Sequence, residues 1–143
     1  MSQSNPATLQ DVWALDNLDG PGTYLDLSHS NAWYNNTQLL DDNGWNGHRF
    51  PINWHYYYYY YNCSNLSPHL GPVDFLSVDT QSNNLNVLRR WFQMGGQARL
   101  VAVLFHYKES TLNQLIKVCQ QNNMEFSQLR GFVACFVNND LTS

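Results

Sequence analysis

Charge is what this sequence has least of. Asp, Glu, Lys and Arg together make up 13% of its 143 residues, about half the share of an ordinary soluble domain. Seven residues are Lys or Arg against eleven Asp or Glu, for a formal net charge of −4. Arg89 and Arg90 form the only adjacent basic pair. No basic stripe is present to neutralise a phosphate backbone, which argues against nucleic acid as a partner. Cysteine is scarce as well. Cys63, Cys119 and Cys135 are widely and irregularly spaced, with no CxxC and no Cys/His ligand pattern. Buried free thiols in a reducing compartment are the expected state, and neither a disulfide framework nor a metal site is indicated. The longest apolar run, LVAVLF at 100–105, is far too short to span a bilayer. The opening MSQSNPATLQDVW has no basic segment followed by an apolar stretch, so no secretory signal is read there. The expectation is a cytoplasmic protein without a membrane partner.

What the chain does have is aromatic mass. Phe, Trp and Tyr reach 15% within a hydrophobic content of 43%, enough for one compact domain over 1–143 and too little for two. Residues 1–10 are polar and expected to fray. Six consecutive tyrosines occupy 56–61, between Trp54-His55 and Asn62-Cys63. Tyrosine has high strand propensity, and six residues is near the usual strand length. In a strand, Tyr56, Tyr58 and Tyr60 face one way and Tyr57, Tyr59 and Tyr61 the other. Trp54 shares the parity of the first set, which is therefore assigned to the core. Tyr57, Tyr59 and Tyr61, with Trp45, are the expected partner-binding residues, since large amphipathic rings anchor protein contacts. A base- or sugar-stacking platform is the competing use of the run, but its only polar neighbour of suitable chemistry is His55.

NLDGPG at 17–22 is a turn cluster, followed by a short strand in TYLDLSH. Residues 30–40 suggest a helix capped by Ser30 or Asn31, and 41–53, with Gly44, Gly47 and Pro51, reads as a loop. The second half is clearer. VDFLSV at 73–78 reads as a strand. Leu85, Leu88 and Trp91/Phe92 recur at helical spacing within 83–96, and Gly95 or Gly96 supplies the C-cap. ARLVAVLFHY at 98–107 has the continuous apolar character of a strand buried on both faces. Leu112, Leu115, Ile116 and Cys119 form an i, i+3, i+4, i+7 stripe, with Thr111 and Gln114 as a capping box. GFVACFV at 131–137 is a further buried strand, and the connection to it from the strand at 100–105 is long enough for a βαβ crossover. The order predicts an α/β or α+β fold, a single mixed sheet of about four to five strands with packed helices.

Catalytic constellations are not evident. His29, His48, His55, His69 and His106 show no i, i+4 pairing and no HExxH, and GxGxxG, GxxxxGK[ST] and GxSxG are absent. Asp16, Asp19 and Asp26, separated by turn residues, read as solvated caps. Cys63 with His69 imitates a dyad but has no supporting signature. The expectation is a protein that is not an enzyme, with no cofactor and no catalytic or metal-ligating residue.

Several segments together resemble the adaptor-chaperone family of bacterial type VI secretion. TYLDLSHSNAWYNNTQLL is similar to that family's opening strand and helix. YYYYYYNCSNLSPHLGPVDFLSV is similar to its aromatic strand, short polar helix and following strand, with Gly71, Pro72, Val73, Phe75 and Leu76 carrying the match. LNVLRRWFQMGGQARLVAVLFHYKESTLNQLIKVCQQ is similar to its helix–strand–helix, and GFVACFV falls where the family has its last strand. The final segment here reads CFVNNDLTS and lacks the family's Arg and Asp-Pro-Arg, apart from Asp140. The resemblance implies a non-enzymatic adaptor that binds a secreted effector and helps load it onto the spike protein. An immunity protein that neutralises a toxin by direct contact is the alternative within binding proteins. A small hydrolase or ligand-binding enzyme using His55, His69 or Cys63 is the alternative of another class.

Overall fold

Alternation along the central strands sets the architecture. The computed structural model describes residues 10–29, 37–52, 71–80, 84–105 and 109–142. In chain order these form α1 (Gln10–Asn17), β1 (Thr23–His29), α2 (Gln38–Asp42), β2 (Asn46–Ile52), β3 (Val73–Asp79), α3 (Asn84–Gln93), β4 (Ala98–Leu104), α4 (Glu109–Gln120), β5 (Met124–Arg130), β6 (Val133–Asn138) and α5 (Asn139–Thr142). The strands make one six-stranded mixed sheet in the order β2-β1-β3-β4-β6-β5. β2, β1, β3 and β4 run parallel, while β6 is antiparallel to both β4 and β5.

Each central strand sends alternate side chains to two separate cores. Leu25, Leu27, Leu76, Val78, Val101, Val103, Ala134 and Phe136 pack with Val87, Leu88, Trp91 and Phe92 of α3 and Leu115, Val118 and Cys119 of α4. Their neighbours Tyr24, Phe75, Leu100, Ala102, Val133 and Cys135 pack on the other face with Trp13 and Ala14 of α1, Leu40 of α2 and Trp45. Both faces of β3, β4 and β6 are thus covered, as the near-continuous apolar runs in those segments demand. After α3 the chain turns at Gly95 (φ +97°); the Gly95 N–H donates to the Phe92 carbonyl and the Gly96 N–H to that of Trp91.

The structure corrects the sequence reading at four places. The sheet has six strands among the described residues, rather than four to five. Residues 46–52, expected in a loop, form β2. Pro51 is tolerated because β2 is the outermost strand. Gly47 lies opposite Tyr24 in the register, where a Cβ would come within 2.4 Å of the Tyr24 ring. The chain after α4 does not cross directly to the strand at 133–138. It forms β5 first and then returns through Gly131-Phe132 as a hairpin, so β6 inserts antiparallel between β4 and β5. Finally, α4 begins at Glu109, which puts Thr111 inside the first turn rather than at the cap. The expected strand at 56–61 lies outside the described residues, as do residues 30–36 of the helix expected at 30–40.

No described helix is long and apolar enough to cross a membrane. Leu115 is fully buried between the α4 stripe and the sheet, with Leu112 and Ile116 partly buried beside it. Leu115→Ala should therefore destabilise the fold by about 2–5 kcal/mol, the cost of a core cavity, in urea-denaturation measurements. A change near zero would contradict the packing described here.

Candidate functional site

The face that carries α1 and α2 changes character along the strands. Near their amino ends it is apolar, with Tyr24, Phe75 and Leu100. Towards the carboxyl ends of β1 and β3 the same face presents Asp26, Ser77 and Asp79, all buried. Asp26 lies opposite Ser77, and Ser28 opposite Asp79. Gln10 and Asp11 from α1 and Thr37 before α2 add further buried polar side chains, and Arg49 of β2 sits opposite Asp26. Among open α/β sheets, the place where strand order reverses, outside the carboxyl ends, is the usual ligand crevice. Here the chain runs outward from β1 to β2 and then returns to β3, so the reversal lies between β1 and β3.

Asp26 is the centre of this group. Its Oδ2 accepts a hydrogen bond from the Thr37 hydroxyl at 3.1 Å and lies 3.9 Å from Arg49 Nε. Thr37 Oγ1 in turn accepts from Arg49 Nε at 3.2 Å. The Arg49 guanidinium is committed elsewhere, with Nη2 2.5 Å from Asp41 Oδ2, and Asp41 Oδ1 accepts from the Tyr24 hydroxyl at 2.5 Å. Burial, with that Asp41 bond second, pushes the Tyr24 phenol up to about 12. Burial also raises the Asp26 carboxyl from 3.8 to about 7, an effect that the Thr37 bond and the half-exposed Arg49 oppose and that Asp79 and Asp11 reinforce. Desolvation wins because the Arg49 guanidinium is partly in water and is shared with Asp41.

Two buried polar atoms in this group have no hydrogen-bond partner among the described residues: Asp26 Oδ1 and Gln10 Nε2. They belong to the same level of the sheet, since Ser77, the register partner of Asp26, donates its hydroxyl to Gln10 Oε1. Asp26 Oδ1 is an acceptor when the carboxyl is ionised, and Gln10 Nε2 is a donor. Asp11 is engaged, its Oδ2 accepting from the Leu39 amide at 3.2 Å at the start of α2. Beyond β3, Asn84 ties two strand ends together. Its Oδ1 accepts from the Thr80 amide and hydroxyl at 2.5 and 2.6 Å, and its Nδ2 donates to the Leu104 carbonyl at 2.6 Å. No group of three or more His, Cys, Asp and Glu side chains arranged to hold a metal ion occurs among the described residues.

The residues chosen from sequence fall elsewhere. Tyr57, Tyr59 and Tyr61 lie outside the described residues, and so do His55, Cys63 and His69. Trp45 is 4% exposed and packs in the α1/α2 core with Trp13, Tyr24 and Leu40, so its indole serves the interior. Of the three aspartates read as solvated caps, Asp16 and Asp19 are exposed, but Asp26 is 1% exposed and is corrected to a core position. The available signal was its place between Leu25 and Leu27 in an alternating strand, on the face of Tyr24. Cys119 and Cys135 are buried free thiols, as expected. Compared with protein-family models and with curated proteins, the chain gives no match, so the functional reading rests on its own residues.

The raised Asp26 carboxyl has a defined pH signature. Below pH 3.8 it is protonated in both folded and unfolded chains; between 3.8 and about 7 only the unfolded chain releases the proton. This group's contribution therefore lowers stability as pH rises through that window and is constant above it. A displacement from 3.8 to about 7 corresponds to about 4 kcal/mol at most. Asp26→Asn should flatten this slope and be more stable than the parent at pH 8 than at pH 4, read from urea midpoints. An unchanged slope would place the Asp26 carboxyl in water.

Proposed function

We propose that this chain is a small-molecule-binding α/β domain that holds an uncharged or cationic, nucleoside-like ligand over the carboxyl ends of β1 and β3. The observation that carries this reading is the pair of unsatisfied buried groups, Asp26 Oδ1 and Gln10 Nε2, at the reversal of strand order. Leaving a buried polar atom unpaired costs about 1–3 kcal/mol, and such atoms in a folded protein call for an explanation. A ligand offering one donor and one acceptor would satisfy both. The location rests on fold-level analogy with doubly wound sheets; the ligand chemistry rests on the residues.

That chemistry is acceptor-rich. Asp11, Asp26 and Asp79 are buried together, and among the described residues the cation beside Asp26 is Arg49, already held by Asp41. Phosphate binding needs inward-pointing backbone N–H groups or free cations, and the sequence has no glycine-rich phosphate loop. Ribose hydroxyls or a ligand amine suit these carboxylates, while a phosphate would be repelled. The proposal concerns binding and assigns no turnover.

A second reading keeps the adaptor that binds a secreted effector and loads it onto a spike protein, in the cytoplasm. The sparse surface charge favours it, because a weakly charged surface is poorly protected against association. Partners co-purified from native cells would support it. Recovery of a toxin whose activity the chain abolishes would favour the immunity role instead.

Adenosine, adenosine 5′-monophosphate and S-adenosylmethionine share base and ribose but are respectively neutral, negative and positive. Titration calorimetry should rank the cationic compound first and the monophosphate last. Asp26→Asn should weaken the cationic compound by about tenfold or more, the loss of one charge-assisted hydrogen bond. Tightest binding by the monophosphate, or indifference to Asp26→Asn, would sink the reading.

A further inference from the structure

The two edges of the sheet differ in how they are protected. β2 carries Gly47 and Pro51, features that discourage a further strand from pairing there. β5, MEFSQLR, has neither Pro nor Lys, and among the described residues it pairs with β6 alone. It also holds Leu129, the exposed large hydrophobic residue among those described, at 47%.

The register of β5 is unusual. Phe126 lies opposite Phe136, but Gln128 lies opposite Cys135, so Ser127 is the extra residue of a bulge. In a regular strand, residues three or five apart point to opposite faces. The bulge reverses that parity. Glu125 and Arg130 now share one face, opposite Val137 and Val133, while Phe126 and Leu129 share the other, opposite Phe136 and Ala134. The Phe126 and Phe136 rings meet edge-on at 5.7 Å, which fixes Phe126 on the α3/α4 side.

From this we infer that β5 pairs antiparallel with β5 of a second copy across a two-fold axis, joining the two sheets edge to edge. Centring the axis between Ser127 and Gln128 sets Glu125 opposite Arg130, Phe126 opposite Leu129 and Ser127 opposite Gln128, and symmetry repeats each pair. Opposite charges meet on one face and apolar side chains on the other, so the strand is complementary to itself in both respects. Asn139 Nδ2 donates to Glu125 Oε2 at 2.5 Å, which holds the carboxylate at the strand end where its partner arginine would arrive. The bulge, which elsewhere blunts an edge, is what aligns the like faces here. The inference is independent of the ligand reading, since β5 is separated from β1 and β3 by β4 and β6.

A single edge pairing buries less than a standard interface, so a weak, concentration-dependent dimer is expected. Sedimentation velocity of the full chain, from about 10 μM to about 500 μM, should span the monomer–dimer transition. Glu125→Arg and Arg130→Glu should each weaken the dimer by tenfold or more. The double exchange, which restores opposite charges across the axis, should return affinity to within about threefold of the parent. Leu129→Ser should also weaken it, and unchanged melting temperatures would confirm that these changes leave the fold intact. A monomer at the highest concentration would overturn the inference. So would single reversals without effect, or a double exchange no better than the singles.

Discussion

Strict alternation in a sheet covered on both faces is the constraint from which the rest follows. Once Leu25, Leu27, Leu76 and Val78 are committed to the core beneath α3 and α4, every intervening residue must go to the opposite side. Tyr24 and Phe75 can bury apolar rings there. Asp26, Ser77 and Asp79 have no such option, and a one-residue slip would drive them into the larger core while ejecting four aliphatic side chains from it. The polar group at the carboxyl ends of β1 and β3 is therefore held in place by hydrophobic packing on the other face.

Its cost falls on α1. Gln10 and Asp11 are buried at the start of a helix whose later residues, Trp13 and Ala14, fill the apolar part of the same face. The helix thus matches both halves of the surface it covers: polar over Ser77, aromatic over Phe75, with the Trp13 and Phe75 ring centroids 6.3 Å apart. Asp11 continues the arrangement by receiving the Leu39 amide, so the polar group also positions α2.

The second half of the fold was legible because its elements bury apolar residues at one clear period. β3, α3, β4, α4 and β6 were all readable in this way. β2 was hidden by Gly47 and Pro51, residues that an edge strand accepts and that ordinarily signal a loop. β5 was hidden because it is half exposed and its bulge interrupts the period of two. α1 was hidden because two of its buried residues, Gln10 and Asp11, are polar. The candidate site was missed for a related reason: an aspartate near turn residues reads as a cap, although its place between Leu25 and Leu27 marks it as a strand position, and its partners Thr37, Arg49 and Gln10 come together only through the strand order.

The two buried thiols lie on opposite sides of one sheet, Cys119 beneath α4 and Cys135 in the α1/α2 core. Burial raises the Cys119 thiol well above its usual range and the Cys135 thiol to about 12, so neither supplies thiolate at neutral pH. The sheet itself stands between them, which rules out their joining as a disulfide while the fold is intact. Oxidants and alkylating reagents would reach them only through openings that break the sheet's packing. In an ageing or stressed sample, modification of Cys119 or Cys135 would thus record how often the molecule has opened, and the two cores would keep separate accounts.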